Sequence, residues 1–527
     1  MSRRSTGGLG AGTALSGGVG GAAALEPLVE QVLAGLAAGA ARRGGPVPAA
    51  DPAELAEVAA AVFGHRADLR ADRGDHRTDH QADLRADHRV GYEAVDQAAG
   101  GEPDALLRLT EFLAYGSADP AEPACAAHLH CPPLAVAVAA DLAVNALNPS
   151  LDSWDQAPVA TTLETTLVGE LAALVGFPAE QAAGVLTSGG TESNLMGLML
   201  ARDQILPTDV ELDGLPSGLR PVIVASEAAH FSVQRAAALL GLGERAVRPV
   251  PVDRELRMDP AALAEVLAET TEEGGTPIAV VATAGTTDTG AVDPLHRAAD
   301  LAAEYGTWLH VDAAYGGGAL LSPKLAPLLA GIDRADSVSL DFHKLGWQPT
   351  AAGVFLVRRA ASYASLTRRA VYLNPEDDEL AGYPSLLGRS LRTTRRADAF
   401  KLAVTLRTLG HSGLGELVDT CHGLALAAAE AVAAEPALEL HCPPILTTVV
   451  FRYRPMGGDP AEADRCNAEL RRVLLRTGQA VVGRTELPGR GPGRVRLKLT
   501  LLNPHTSPAA LAGLLAAVVA AGRAVEA

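Results

Sequence analysis

Lysine is the residue that this sequence most clearly lacks. Four lysines, Lys324, Lys344, Lys401 and Lys498, occur among its 44 lysine and arginine residues. The formal net charge of −18 and the isoelectric point near 5.2 argue against nucleic acid or an anionic membrane as a partner. We give the arginine excess no function, because it has the character of a genome-wide coding bias. A lysine retained at a motif is therefore informative.

Cysteine and aromatic residues are also few. The five cysteines have no C-x-x-C pair and no metal-like spacing, which predicts reduced thiols and neither a disulfide framework nor a metal site. Aromatic residues make up 4% of the chain, so the core must consist mainly of alanine, leucine and valine. The N-terminal stretch is too weakly apolar for a signal peptide, and no window approaches the roughly 18 to 20 uninterrupted apolar residues of a membrane span. We expect a cytoplasmic protein without a membrane partner.

The sequence pattern predicts four parts. Residues 1–24 are of low complexity and are predicted to be disordered. Residues 25–150 are predicted to form a helical arm that contains a charged insertion at 65–90. Residues 151–395 are predicted to form a large α/β domain, and residues 396–527 a smaller α+β domain.

The insertion is rich in aspartate, arginine and histidine. Its four histidines, His65, His76, His80 and His88, raise the question of a metal site. Nothing in the segment supplies the surrounding groups that orient metal ligands, so a solvated, mixed-charge segment is the favoured interpretation.

Short apolar runs in the predicted large domain indicate strands. They are PVIVAS (221–226), IAVVATAG (278–285), WLHVDAA (308–314), DSVSLDF (336–342) and AGVFLVR (352–358). These runs alternate with helices rich in alanine and leucine, which favours a mostly parallel sheet covered on both faces. Such sheets bind ligands at the carboxyl ends of their strands, so the residues that follow the strands are the candidates for a site.

A Ser-Gly-Gly-Thr turn precedes one predicted helix, in the stretch TSGGTESN. Gly189 and Gly190 permit close approach to the backbone, and Thr191, Ser193 and Asn194 add side-chain donors. Free amides at a helix N-terminus bind phosphate, although a turn of this kind is often only a turn.

Three further side chains follow strands. Asp312 closes an apolar strand, where it would either cap the next helix or pair with a cationic heterocycle. His230 follows PVIVAS, and alone it would be read as a structural histidine. Lys344 follows DSVSLDF, and a lysine can lose its proton where an arginine cannot. Together with the phosphate cradle these groups suit pyridoxal 5′-phosphate.

These motifs resemble those of the group II pyridoxal-phosphate-dependent amino acid decarboxylases. The matching runs include HLHCPPLAVAV, NPSLDSWDQAPVATTLE, TSGGTESN, SEAAHFS, VATAGTTDTGAVDPL, WLHVDAAYGGG, DFHKLGWQP, YLNPEDDE and LRTTRRADAFKL. The resemblance spans residues 105–505, and it is strongest to the branch that acts on 2,4-diaminobutyrate and on lysine or ornithine. It implies the fold-type I (aspartate-aminotransferase-like) architecture, with a large cofactor-binding domain and a smaller C-terminal α+β domain.

The resemblance also implies roles for individual residues. Lys344 would hold pyridoxal phosphate as an imine, Asp312 would keep the pyridine nitrogen protonated, and His230 would stack on the ring. Phosphate-side positions correspond to Gly190, Thr191, Asn194 and His343, and positions flanking the ring correspond to Thr283 and Ala314. Metal ligands are not implied.

Tyr372 corresponds to a loop tyrosine that in the family returns a proton to the substrate carbon. The segment 365–384 is predicted to be a mobile lid, although an aromatic residue could equally anchor a loop. The chain departs from the family pattern at Ala397, where an aromatic residue is usual. The resemblance implies a homodimer whose lid serves the neighbouring subunit.

We therefore expect decarboxylation of an L-amino acid to an amine and CO2, with a diamino acid as substrate. Alternatives are an aromatic or other neutral amino acid, oxidative deamination to an aldehyde on the same scaffold, and a non-catalytic homologue. Residues that could line the substrate pocket, or equally be structural, are His128, His130, Trp154 and Asp155.

Overall fold

The computed structural model describes residues 14–62, 104–367 and 372–526. The helices are α1 (Gly21–Arg43), α2 (Pro52–Val62), α3 (Ala105–Gly116), α4 (Ala135–Leu147), α5 (Pro158–Val175), α6 (Gly190–Ile205), α7 (Val210–Asp213), α8 (Ser232–Leu239), α9 (Pro260–Glu272), α10 (Leu295–Glu304), α11 (Glu376–Leu380), α12 (Ala399–Ala434), α13 (Pro460–Arg476) and α14 (Pro508–Glu526). The strands are β1 (Ala183–Thr187), β2 (Pro221–Ser226), β3 (Val247–Val250), β4 (Thr276–Thr283), β5 (Trp308–Ala313), β6 (Ser337–Asp341), β7 (Gly353–Val357), β8 (Leu438–Leu440), β9 (Thr448–Tyr453), β10 (Gly483–Glu486) and β11 (Val495–Thr500).

Seven strands form a sheet in the order β1-β7-β6-β5-β4-β2-β3. Strand β7 runs antiparallel to both of its neighbours, β1 and β6, whereas the other pairs are parallel. The prediction of a mostly parallel sheet in an α/β fold is therefore confirmed. All five predicted strands are present, as β2, β4, β5, β6 and β7.

The edge strand β3 was not predicted from the sequence. Its four residues are VRPV, and an arginine and a proline in so short a run do not suggest a strand. Proline is tolerated at a sheet edge, because one side of an edge strand needs no ladder hydrogen bond.

Both faces of the large sheet are covered by apolar side chains. In β4, Val280 and Ala282 belong to the cluster on one face, and Ala279 and Val281 belong to the cluster on the other. Burial on both faces explains why the central strands are apolar without alternation, which is the pattern from which they were predicted.

A second sheet of four strands has the order β10-β11-β9-β8, and every pair in it is antiparallel. Contacts divide the chain into two compact units, residues 1–119 with 473–480 and residues 120–472 with 481–527. Both sheets lie in the second unit. Helix α1 begins at Gly21, within the range predicted to be disordered, and the predicted insertion at 65–90 lies outside the described residues.

Two helices, α12 and α14, are long and apolar enough to cross a membrane by length and composition alone. The sequence predicts helices in both stretches, within the predicted α+β domain, and no membrane span. Helix α12 has a non-helical residue at Gly410 and carries the fully buried Lys401, whose ammonium lies 3.2 Å from Asp398 and from Asp141 of α4. An ion pair and a break of this kind are typical of a helix packed within a protein core.

Candidate active site

A cavity of about 410 Å³ opens where β4, β5 and β6 end and α6 begins. It is lined by Ser188, Gly189, Gly190, Thr191, Asn194, His230, Thr283, Gly285, Thr287, Asp312, Ala314, Tyr315, Asp341, His343 and Lys344. The list contains every residue that was predicted to bind the cofactor. The carboxyl ends of parallel strands meet at one edge of a sheet, so residues far apart in sequence converge here.

Lys344 reaches the cavity from the turn that follows β6. Its ammonium lies 2.9 Å from Asp341 Oδ2, and its side chain is 19% exposed. Asp341 closes β6 and is buried. Sequence reasoning missed this carboxylate, although the signal was the same as for Asp312, a charged residue at the end of an apolar strand.

Asp312 is held by neutral donors at the end of β5. Its Oδ1 accepts from the Ala314 amide at 3.1 Å, and its Oδ2 accepts from Asn194 Nδ2 at 2.7 Å. Ser339 Oγ lies 3.2 Å from Asp312 Oδ1 and 2.9 Å from Asn194 Oδ1, so its one proton is shared between them. Asp312 does not cap a helix, because the next helical turn starts only at Gly316. Neutral donors orient a buried carboxylate and bring no opposite charge of their own, so a cationic group of a ligand can still pair with it.

Asn194 joins Asp312 to the interior of the sheet. Because its amide nitrogen donates to Asp312, its oxygen faces His310 Nε2 at 2.9 Å, which must carry the ring proton. His310 Nδ1 then accepts from Ser337 at 2.8 Å, and Ser337 accepts from the indole of Trp308 at 2.8 Å. Burial lowers the pKa of His310 to about 4, so the ring is neutral at pH 7. This series of matched hydrogen bonds fixes the orientation of the amide.

The contacts of Asn194 differ from the expected phosphate-side role. Its amide nitrogen donates one hydrogen to Asp312 and the other to Ser232 Oγ, which lies 2.9 Å from Nδ2. Asn194 lies near the start of α6, after the predicted Ser-Gly-Gly-Thr turn, but the motif could not show which neighbour its side chain meets. His310, two residues before Asp312, was also not identified from the sequence.

His230 stands at the cavity wall beside the start of α8. Its Nδ1 lies 2.9 Å from Ser232 Oγ, and this hydroxyl donates to the ring because it already accepts from Asn194. Burial lowers the pKa of His230, so its ring is neutral near pH 7. A flat, neutral ring with a fixed tautomer suits contact with a planar ligand.

The turn before α6 is built for close approach. A Cβ atom on Gly190 would lie 2.9 Å from Ala314 Cβ and 3.2 Å from Asp341 Oδ2. Gly189 has φ = 153°, in the region that favours glycine. The 16-residue helix α6 directs its free amides toward the cavity, as expected of a phosphate cradle.

Thr283 is positioned by a carboxylate outside the cavity. Asp293 Oδ2 accepts from the Thr283 amide at 2.7 Å, and Asp293 Oδ1 accepts from the Met258 amide at 2.7 Å. Burial raises the pKa of Asp293 to about 6. The hydroxyl of Thr283 is buried at the cavity and has no hydrogen-bond partner among the described residues, so it is available to a ligand.

Tyr372 is not brought to the cavity. Its side chain is 84% exposed, and the described chain resumes at this residue after the gap at 368–371. Beyond it, Asn374 donates to the carbonyl of Asp152 at 2.9 Å, and Tyr383 packs edge-on against Trp154 with ring centroids 4.9 Å apart. The segment after Tyr372 therefore lies against residues 152–154.

The four residues proposed to line the substrate pocket, His128, His130, Trp154 and Asp155, do not line the cavity. The cavity instead includes Ser188, Gly285, Thr287 and Tyr315, which were not predicted. These additional residues lie in the loops that directly follow β1, β4 and β5, so their position relative to the strands was the available signal. Among the described residues, no cluster suited to a metal ion is found.

The cavity fits pyridoxal phosphate by its chemistry. It offers a lysine amine, a charge-bearing carboxylate that is already held in place, a glycine turn at a helix N-terminus, and the unpartnered hydroxyl of Thr283. Its volume is within the range of small-molecule sites. The mostly parallel sheet and this set of groups define a fold-type I pyridoxal-phosphate-dependent enzyme.

Comparison with known proteins identifies the family. Residues 92–454 match the family model of the pyridoxal-dependent decarboxylase conserved domain, and the chain belongs to this family. It is 45% identical over 404 residues to the L-2,4-diaminobutyrate decarboxylase of Rhizobium meliloti, covering 77% of this chain and 79% of that protein. It is 39% identical over 435 residues to the L-2,4-diaminobutyrate decarboxylase of Acinetobacter baumannii, covering 80% and 84%.

Solved structures agree with this family. The glutamate decarboxylase domain of the diaminobutyrate-pyruvate transaminase and L-2,4-diaminobutyrate decarboxylase of Vibrio parahaemolyticus has a TM-score of 0.80 and 32% identity, covering 97% of this chain and 98% of that one. The Oryza sativa TDC with PLP and tryptamine has a TM-score of 0.80 at 24% identity, covering 96% and 99%, and shows the fold. The protein is a pyridoxal-phosphate-dependent amino acid decarboxylase.

Proposed function

We propose that the substrate is a diamino acid, with L-2,4-diaminobutyrate as the first candidate. The observation that carries this proposal is the identity of 45% to a diaminobutyrate decarboxylase over 77% of the chain. A second diaminobutyrate decarboxylase and the Vibrio structure support the same assignment. The aromatic-L-amino-acid decarboxylase of Bacillus atrophaeus is less similar, at 33% identity over 71% of the chain.

The residues of the cavity divide the work of decarboxylation. Bound pyridoxal phosphate supplies a ring that takes up the electron pair left when the carboxylate departs as CO2. Lys344 would hold the cofactor covalently, and the amides of Gly190 and Thr191 would bind its phosphate. Asp312, whose oxygens are already oriented by neutral donors, would keep a proton on the ring nitrogen. His230 would contact the ring as a neutral imidazole.

A substrate panel tests the proposal. Purified enzyme loaded with pyridoxal phosphate is supplied in turn with 2,4-diaminobutyrate, lysine, ornithine, tyrosine and glutamate, and both CO2 and amine are measured. We expect the highest kcat/KM for 2,4-diaminobutyrate, by about tenfold or more, because the extra methylenes of ornithine and lysine cost about 1 to 3 kcal/mol in a pocket shaped for the shorter chain, and tyrosine lacks the distal ammonium. A preference for tyrosine would favour the aromatic alternative, and release of no product would favour a non-catalytic homologue.

We propose that Tyr372 returns the proton that completes decarboxylation. Replacing it with phenylalanine removes the phenolic proton and leaves the ring, so the rate of amine formation should fall about 10²-fold, as expected for loss of a general acid. Some of the product should then appear as aldehyde, ammonia and hydrogen peroxide in air. The measurement is the ratio of amine to aldehyde by chromatography.

Tyr383→Phe is the matched control for this change. Tyr383 belongs to the same segment and packs against Trp154, and its substitution should leave the product ratio unchanged. Aldehyde formation by wild-type enzyme at the rate of CO2 release would contradict the role of Tyr372 and support the oxidative alternative.

We infer that the chain forms a homodimer. On the paired helices α1 and α3, a series of leucines is exposed to solvent, and Leu33 and Leu113 are 60% and 66% exposed. Apolar side chains concentrated on a helix pair are typical of an interface. Sedimentation velocity should give twice the chain mass of 54.1 kDa, and a monomer at micromolar concentration would contradict the inference.

We propose a cytoplasmic location. Cys131, Cys421 and Cys466 are buried as thiols, which suits a reducing compartment. The test is cell fractionation with detection by antibody. Finding the protein in a membrane or extracellular fraction would contradict this assignment.

A further inference from the structure

Asp341 lines the cavity, but the proposed mechanism gives its carboxylate no role. Its side chain is 3% exposed, and one of its oxygens lies 2.9 Å from Lys344 Nζ. The other oxygen, Oδ1, is buried and has no hydrogen-bond partner among the described residues. Burying a carboxylate oxygen without a hydrogen-bond partner costs free energy. Such an oxygen therefore suggests a function in another state of the protein.

Asp341 also lies against the phosphate cradle. A Cβ atom on Gly190 would be 3.2 Å from Asp341 Oδ2, and one on Gly189 would be 3.8 Å from Asp341 Oδ1. The positive end of α6 therefore stabilises this carboxylate in the cofactor-free protein. A phosphate dianion that enters the cradle brings a second anion to the same helix end, and a neighbouring anion disfavours the ionised form of a carboxylate.

The charged and titratable groups around Asp341 come from several elements. His343 of the same turn has Nε2 at 3.5 Å, and His230 faces it across the cavity. Burial lowers the pKa of both histidines, so both rings are neutral at pH 7, although Lys401 from α12 and Asp312 from β5 also influence them. Within the described part of the chain, Lys344 is therefore the cation in direct contact with Asp341 at neutral pH.

We propose that Asp341 is the base that deprotonates Lys344 when the phosphate group of the cofactor enters the cradle. One N–H bond of the ammonium breaks, the proton forms an O–H bond on Asp341 Oδ2, and the electron pair stays on Nζ. An ion pair becomes a neutral carboxylic acid beside a neutral amine. The helix end is left with the phosphate charge alone, and the amine is ready to attack the aldehyde of the cofactor.

This step couples docking of the cofactor to activation of the lysine. Before the phosphate of the cofactor binds, Lys344 is paired with Asp341 as an unreactive ammonium, and binding of that phosphate frees the amine to react. The inference concerns cofactor loading and is independent of which amino acid the enzyme decarboxylates.

The test measures the reactivity of Lys344 in cofactor-free wild-type enzyme, with inorganic phosphate as the probe. Reductive methylation with formaldehyde labels free amines, and peptide mass spectrometry gives the rate at each lysine. We expect saturating phosphate to accelerate labelling of Lys344 by about threefold or more, because a larger fraction is then free amine. Lys324, whose side chain is 78% exposed, is the internal control and should not respond.

The expected direction is opposite to that of simple electrostatics. Without a base, a nearby anion stabilises the ammonium and slows labelling. A slower or unchanged rate at Lys344 in phosphate would therefore overturn the proposal.

The variant Asp341→Asn removes the base and one negative charge while it keeps the shape of the side chain. Inorganic phosphate should bind the cofactor-free variant about threefold or more tightly, since one anion fewer opposes it, and phosphate should no longer accelerate labelling. A residue with a merely structural role would weaken phosphate binding. Activation by phosphate equal to that of the wild type would overturn the proposal.

Asp336→Asn provides the matched control. Asp336 directly precedes the same strand and accepts from the Leu309 amide at 3.0 Å, away from the cavity. The Asp336→Asn variant should have the phosphate affinity of the wild type and the same response of Lys344 labelling to phosphate. The wild-type measurement decides the question even if Asp341→Asn does not fold.

Discussion

Lys344→Ala is expected to abolish covalent cofactor binding and to lower decarboxylation by at least about 10³-fold, because no other group can take the place of the lysine amine. The absorption band at about 420 nm that reports an imine between lysine and pyridoxal phosphate should be absent. The lysine is partly buried in the turn that follows β6, in ionic contact with Asp341. The measurements are the visible spectrum with excess cofactor and the rate of CO2 release.

Lys344→Arg separates the charge of this residue from its chemistry. The guanidinium can still pair with Asp341 but cannot form an imine at neutral pH. We expect the arginine variant to be folded, with a melting temperature close to that of the wild type, and to lack the absorption band. Lys324→Ala serves as the control for loss of an exposed lysine. An intact band in either Lys344 variant would show that another residue holds the cofactor.

Asp312→Asn is expected to lower kcat by about 10² to 10³-fold while Lys344 still holds the cofactor. Asparagine keeps the size of the side chain but removes the negative charge that stabilises a protonated ring nitrogen. A ring without that proton accepts electrons poorly, so the barrier to loss of CO2 rises. The spectrum should retain the imine band, which distinguishes this defect from that of Lys344→Ala.

Loss of turnover in Asp312→Asn could also reflect disturbance of Asn194, since the two side chains are joined at 2.7 Å. Asn194→Ala removes that donor and leaves the charge of Asp312 in place. We expect the alanine variant to be impaired less than Asp312→Asn. Equal kcat in wild type and Asp312→Asn would exclude the proposed role of the carboxylate.

Some features could be predicted from local sequence alone. The apolar runs of the central strands are continuous because both faces of the sheet are buried, so β4 and β5 were recognisable without any partner. Residues that follow such strands must converge at one sheet edge, and Lys344 and Asp312 were placed in the site for this reason. The edge strand β3 was not predicted. It pairs with a neighbour on one side only, so its residues need not form the continuous apolar run of a central strand.

Contacts between residues far apart in the chain could not be predicted from local sequence. Asn194 and Asp312 are 118 residues apart, and only the packing of α6 against the sheet decides that the amide meets the carboxylate. The orientation of that amide depends in turn on His310 and Trp308, which lie behind it in the sheet. Asp341 is three residues from Lys344, but its closeness to Gly190 depends on the position of α6.

The sequence by itself determined the class of chemistry, because a lysine, an aspartate and a glycine turn at strand and helix ends are required by the cofactor whatever surrounds them. The tertiary structure alone decided which groups share protons and charge. Hydrogen bonds and ion pairs act over about 3 Å, a distance at which the chain brings together residues from different strands and helices. Side-chain partners are therefore a property of the packed fold, whereas the strand ends that carry the chemistry are encoded locally.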